Sequence, residues 1–252
     1  MSYTIVVLLK QVPDLNAARI NRATGELQLS GQMAISSFDD YAIEAALQLK
    51  EAHGGEVVAV TAGPPGAKDA LTRALAMGAD RGLLLRIDDL DEASTSTLSR
   101  MLAESVASLS PDIVLTGQMS DDFATGEVGP QVAEFLGFPQ VSSATRIDAV
   151  GPELRILRDT EDGKQKVGVQ TPVLIMAMTG LNEPRYPSLK GIMAAKKKPQ
   201  EILETRETPV SSGRWSAPYV QERSAGGTIV QDVPAAEAAT QLVAWLRENK
   251  LV

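Results

Sequence analysis

Residues 56–86, EVVAVTAGPPGAKDALTRALAMGADRGLLLR, decide the fold. Glu56–Ala62 is an apolar, partly β-branched run, the pattern of a strand covered on both faces in a parallel sheet. It stops at Gly63-Pro64-Pro65. Ala67–Met77 then sets Leu71, Ala74 and Leu75 on one face at helical spacing, and Gly78 ends that helix. Gly82–Arg86 is the next strand. Strand, helix and strand in roughly thirty residues make a βαβ unit, whose two strands run parallel beneath the connecting helix.

The same rhythm extends on both sides. Tyr3–Leu9 (YTIVVLL) reads as a buried strand, and Asp39–Ala52 as a helix with Ile43, Ala46, Leu47 and Lys50 at helical spacing. Ser36, Ser37 or Asp39 could cap it. Thr95–Leu109 is a further helix, Asp112–Thr116 a strand, and Glu127–Leu136 a helix closed by Gly137 and Pro139. Such alternation predicts an α/β fold, a doubly wound and mainly parallel sheet with helices on both faces. From Ser143 the pattern changes to short alternating segments, 144–150, 153–158 and 164–170, read as an antiparallel meander. Val173–Thr179 is a last buried strand. Residues 206–232, poor in aliphatics, read as an extended arm, and Val233–Leu251 as an amphipathic helix with Leu242, Val243 and Leu246 in its stripe. The expected division is an α/β domain over 1–200 and an arm with helix over 201–252. No repeat of fixed period is present.

Composition excludes several classes. Apolar residues at 44% and charged residues at 22% are ordinary for a soluble globular protein. A net charge of −8 argues against nucleic acid as a general partner, since phosphate binding needs a basic face. Without cysteine there is no disulfide, thiolate-held iron–sulfur cluster or cysteine nucleophile. His53 is the only histidine, so neither a histidine triad nor a multi-histidine metal site can form, and it is expected to cap or face solvent at a helix end. No run approaches the roughly 20 apolar residues of a membrane helix. No leader is visible at the N-terminus, giving an expectation of a cytoplasmic protein without metal or membrane insertion.

In open α/β sheets, ligands bind beyond the carboxyl ends of the strands, where strand order reverses. The candidate ends are Leu8-Leu9-Lys10, Ala62-Gly63-Pro64, Thr116-Gly117-Gln118 and the start of the loop after Thr179. No GxGxxG or P-loop motif occurs. Gly117, Asp121-Asp122 and Thr125-Gly126-Glu127-Val128-Gly129 could bring backbone N–H groups around a phosphate. They would equally suit an ordinary helix start. Leu181–Pro199 (LNEPRYPSLKGIMAAKKKP) is a different feature: Pro184 and Pro187 stiffen a loop that carries one leucine, Leu189, ahead of Lys196, Lys197 and Lys198. It reads either as a docking device or as a connection whose Leu189 enters its own core.

The segments LLKQVPD (8–14), GPPGAKDALTRALAMGADRG (63–82), TGQMSDDFATGEVGPQVAEFLGFPQ (116–140) and NEPRYPSLKGIM with AAKKKP (182–199) resemble the electron transfer flavoprotein beta subunit. That resemblance implies an adenine-nucleotide-binding, Rossmann-like sheet and a chain with no active site of its own. It implies a heterodimer with an alpha subunit, an FAD at their interface held mostly by alpha, and AMP in the beta chain. Electrons would come from flavin-dependent dehydrogenases, such as acyl-CoA dehydrogenases of fatty acid β-oxidation, and pass to a membrane quinone oxidoreductase or other acceptor. The implied nucleotide residues are Leu8, Ser36, Phe38, Asp39, Ala62, Gly117, Asp122, Phe123, Thr125, Gly126, Val128 and Gly129, with Leu15 and Phe38 near the isoalloxazine or simply packing. The implied docking residues are Tyr186, Pro187, Leu189, Ile192, Met193, Lys196, Lys197 and Lys198, and the C-terminal arm would reach the alpha subunit. Gln118-Met119-Ser120 and Phe123-Ala124 depart from the bifurcating pattern, and Ser36-Ser37 stands where an Asn-Pro is common in the family. These departures favour AMP over the second FAD of the bifurcating type, whereas LLKQVPD is phrased like the bifurcating type. A stand-alone adenine-nucleotide-binding stress or regulatory protein would leave the Pro-bracketed loop without a role. A nucleotide hydrolase would need a motif that is absent.

Overall fold

The expected strand–helix alternation is what the chain adopts in a computed structural model, which describes residues 2–21, 24–88, 90, 94–150, 153–205 and 227–252. In chain order the elements are β1 (Tyr3–Leu8), β2 (Gln11–Pro13), β3 (Arg19–Ile20), β4 (Leu27–Gln28), β5 (Met33–Ile35), α1 (Ser37–His53), β6 (Gly55–Gly63), α2 (Lys68–Met77) and β7 (Arg81–Arg86). There follow α3 (Thr95–Ala107), β8 (Ile113–Gly117), α4 (Val128–Leu136), β9 (Gln140–Val150), β10 (Glu153–Thr160), β11 (Gly163–Gln170), β12 (Val173–Ala177), α5 (Leu189–Ala195), β13 (Gln200–Glu204) and α6 (Ala235–Glu248). The chain falls into two compact units, Met1–Ala217 and Pro218–Val252.

In the first unit the main sheet runs β11-β10-β9-β12-β8-β1-β6-β7-β13. Pairing is parallel from β9 through β13, and antiparallel across β9, β10 and β11. The meander read from 144 onward is this antiparallel extension, and β9 begins earlier than expected, at Gln140, because its first residues pair with β12. Side-chain alternation separates two cores. Ile5, Val7, Val57 and Ala59 face Ile43, Ala46, Leu71 and Leu75 of α1 and α2. Val6, Leu8, Val58 and Val60 face Met101, Leu102, Val106 and Val132 of α3 and α4. Both faces of β1 and β6 are therefore covered, which is why their sequences are unbroken apolar runs.

Three local expectations change. Residues 201–204, expected in the arm, continue from Gln200 as edge strand β13 beside β7, in register from Gln200 on Gly82 to Glu204 on Arg86. Its polar residues fit an edge that faces water. Asp39 does not cap α1: the helix starts two residues earlier, and Asp39 is buried and bonded elsewhere. His53 ends α1, but its ring meets the edge of Tyr3 with centroids 5.7 Å apart. The arm expected at 206–232 falls largely outside the described residues. In the second unit, α6 buries none of its own residues, and Leu242, Val243 and Trp245 are exposed.

A candidate nucleotide cleft at the switch point

From β1 the chain winds outward through α1 to β6 and through α2 to β7, then returns across the sheet to place β8 on the other side of β1. The crossovers leave β1 and β8 in opposite directions, so a crevice opens beyond their carboxyl ends. A cavity of about 170 Å³ lies there, lined by Leu8, Leu9, Lys10, Asp39, Ala62, Gly117, Phe123, Thr125, Gly126, Val128 and Gly129 among others.

Asp39 ties this floor together. One carboxylate oxygen accepts from the backbone N–H of Lys10 at 2.7 Å, just past β1, and the other from the N–H of Gly117 at 3.0 Å, at the end of β8. Burial pushes its pKa up to about 7, opposed by the two N–H bonds and reinforced by the charges of Asp40 and Asp121. The close approach demands glycine at 117. A Cβ there would stand 2.5 Å from the Asp39 carboxylate and 2.7 Å from Phe38 Cβ. Gly117→Ala is expected to cost about 2 kcal/mol through overpacking and to weaken nucleotide retention. Urea unfolding with an unchanged midpoint would show that the site is roomier than this geometry.

The segment after β8 wraps from the start of α1 to the start of α4. Asp121 accepts from both the backbone N–H and the hydroxyl of Ser37, each at 2.7 Å, and its own N–H donates to Ser36 Oγ at 3.2 Å. Asp121 thus satisfies the first turn of α1 from a distant part of the chain, a capping role that the local serines were expected to fill. Lys10 Nζ pairs with Asp122 at 2.6 Å and lies 4.6 Å from the centroid of the Phe123 ring. Burial raises the Asp122 pKa, but the bond from Lys10 and its other partners outweigh that and hold it below the usual carboxylate range. Ala124 adopts a left-handed φ of 51° at the turn. Helix α4 then starts at Val128 with no side chain capping it. Its first N–H groups belong to residues that line the cleft, and with the helix dipole they favour an anion.

The structure thus gathers Leu8, Asp39, Ala62, Gly117, Phe123, Thr125, Gly126, Val128 and Gly129 around one cavity. The start of the loop after Thr179, the fourth candidate end, lies outside that lining. Ser36 and Asp122 are held behind it by Asp121 and Lys10. Phe38 packs against Gly117, and Leu15 is exposed in a short 3-10 turn away from the cavity lining. Lys10, marked in the sequence only as part of a strand end, gains its place at the site through Asp122 and Phe123. Sequence reading missed Thr95, Leu98 and Leu102 of α3 and Leu90, which only the packing of α3 brings to the lining.

The Pro-bracketed loop is built as a clamp with an exposed tip. Arg185 meets Glu44 through Nε at 2.7 Å and Nη2 at 2.9 Å, and Glu51 through Nη1 at 2.5 Å and Nη2 at 3.0 Å. Two carboxylates seven residues apart on one face of α1 hold one guanidinium in paired forks. Asn182 adds a bond to Tyr41 O at 2.9 Å. Ser188 caps α5, accepting from Gly191 N at 3.0 Å, and the helix begins at Leu189. At Gly191, α5 presses on α2, and any Cβ would run into Ala76 O. Ala195 is the residue of α5 that enters the core. Leu189, Tyr186 and Met193 stay 83%, 89% and 73% exposed, and Ile192 is exposed too. Lys196 and Lys197 are exposed, but Lys198 departs from that cluster. Its ammonium donates to Leu75 O and Ala79 O at 2.9 and 2.5 Å, so it serves carbonyls at the end of α2.

The electron transfer flavoprotein domain family matches residues 25–207. The electron transfer flavoprotein subunit beta of Bacillus subtilis is 38% identical over 98% of this chain and 99% of its own length. That of Clostridium acetobutylicum is also 38% identical, with the same coverage. The caffeyl-CoA reductase-Etf complex subunit CarD of Acetobacterium woodii is 35% identical over 98% of this chain and 99% of its own. With its doubly wound sheet and switch-point cleft, the chain belongs to the electron transfer flavoprotein beta-subunit family.

Proposed function

We propose that this chain is the beta half of a heterodimeric electron carrier. It holds AMP in the switch-point cleft and contributes to the seat of one FAD kept mainly by an alpha subunit. Electrons enter from flavin-dependent dehydrogenases, such as acyl-CoA dehydrogenases, and leave to a membrane quinone oxidoreductase or a comparable acceptor in the cytoplasm. The observation that carries the nucleotide part is the uncapped first turn of α4 opening on the cleft. It offers the backbone N–H groups of Val128 and Gly129 to a phosphate. The donor set fits a nucleotide phosphate, while Phe123, 38% exposed and stacked under Lys10, takes up room that a second flavin would need. FAD supplies the redox chemistry when bound, and the chain's own task is positioning. Among the described residues no cluster of carboxylates and histidine could hold a metal, and no helix is long and apolar enough to cross a membrane.

The bifurcating alternative, with a second FAD in place of AMP, is favoured by the relative named for a caffeyl-CoA reductase complex and by LLKQVPD. Extraction of the purified heterodimer distinguishes the two. One FAD and one AMP per dimer is the expected result, and two flavins per dimer would move the protein to the bifurcating class.

A further inference from the structure

Asp39 lies on the floor of the cleft, and each of its carboxylate oxygens takes a backbone N–H from a different strand end, Lys10 after β1 and Gly117 on β8. The first turn of α4 approaches the same strand end. A Cβ on Gly129 would stand 3.0 Å from the hydroxyl of Thr116, the residue before Gly117. An anion received at that turn adds negative charge to a cleft that already contains a buried carboxylate. In a water-poor site two like charges do not both stay ionised cheaply.

We propose that Asp39 is a proton-linked positioning residue: as a carboxylate it ties the ends of β1 and β8 together, and it takes up a proton when a nucleotide phosphate enters the cleft. This rests on the nucleotide reading of the cleft. The chemistry is one proton from solvent added to the carboxylate, leaving one oxygen as a full acceptor and weakening one of the two ties. The charged groups around Asp39 support it. Asp40 on α1 and Asp121 on the loop after β8 both act against its ionised form. Asp40 is paired with Arg73 of α2 at 3.2 Å, and Lys10 gives its ammonium to Asp122 rather than to Asp39. Glu127, on the cleft wall, is bonded by the Thr95 hydroxyl at 2.6 Å. With its pKa at about 7, Asp39 has a proton within reach near neutral pH.

The test is calorimetric titration of AMP into the nucleotide-stripped heterodimer at neutral pH, in two buffers of different ionisation heat, for wild type and Asp39→Asn. The wild type is expected to take up roughly half a proton more per site than the variant. Its AMP affinity should also fall with rising pH above neutral by up to about tenfold per unit, a slope that Asp39→Asn lacks. The phosphate of AMP titrates in both proteins, so the difference isolates position 39. Should Asp39→Asn fail to fold, the infrared difference spectrum of the wild type with and without AMP gives the answer. A carboxylic acid C=O band gained at the expense of a carboxylate band supports the proposal, and its absence overturns it. AMP binding with equal proton counts in the two proteins overturns the role of Asp39 and leaves the nucleotide reading standing. No AMP binding to the wild type overturns both.

Discussion

An Arg185→Met variant is expected to lose about 3 kcal/mol of stability, seen as a lower urea midpoint with an unchanged slope. The reason lies in Glu44, whose side chain is only 4% exposed and whose charge is answered by the Arg185 guanidinium and backbone N–H. Removing the guanidinium leaves Glu44 desolvated without its cation, with hydrogen bonds only from the residue-185 N–H and Gln48 Nε2. Glu51, more than half exposed, contributes little, because water already screens it. The double variant Arg185→Met, Glu44→Gln should therefore recover most of the loss, while Arg185→Met, Glu51→Gln should not. A loss below about 1 kcal/mol in the single variant would mean that Glu44 keeps its hydration and the clamp does not set the loop.

The second large effect is on transfer rather than folding. Leu189→Ala removes apolar surface that the folded chain leaves 83% exposed, so thermal stability, flavin content and absorption spectrum should hardly change. If the leucine fills a pocket on a partner dehydrogenase, its truncation costs on the order of 2 kcal/mol of docking. That is roughly thirtyfold in affinity, read as slower dehydrogenase-dependent reduction at limiting carrier concentration. The tip is already rigid through the Arg185 clamp and the Ser188 cap, so little ordering is lost on binding. Lys196→Ala or Lys197→Ala should act instead on the association rate and its salt dependence. Lys198→Ala should behave differently from both, destabilising the end of α2, because its ammonium serves two backbone carbonyls. Intact transfer from the dehydrogenase in Leu189→Ala would remove the docking assignment.

Much of this protein was legible in one dimension. The unbroken apolar runs of β1, β6, β8 and β12 betray strands covered on both faces, and the intervening apolar stripes betray the helices that cover them. Those patterns are local consequences of burial, so they survive in the sequence. They gave the doubly wound sheet, and the rule for open sheets then gave the end at which the cleft would lie. They could not give β13, because an edge strand exposed to water carries polar residues that read like a linker.

What tertiary structure alone decided is which distant groups meet. Asp39 looked like a helix cap because carboxylates favour that position, and nothing local says that Lys10 and Gly117 bring their N–H groups to it instead. Ser36 holds the N-cap position without a side-chain capping bond, and the carboxylate that serves the first turn, Asp121, is 84 residues from Ser37 along the chain. Arg185 and Glu44 are 141 residues apart, and their pairing holds the base of the loop whose Leu189 faces solvent. Sequence alone thus determined the layers and the address of the cleft, since periodicity records burial residue by residue. The electrostatics of the site and the presentation of the loop came from contacts between remote elements, which leave no periodic trace.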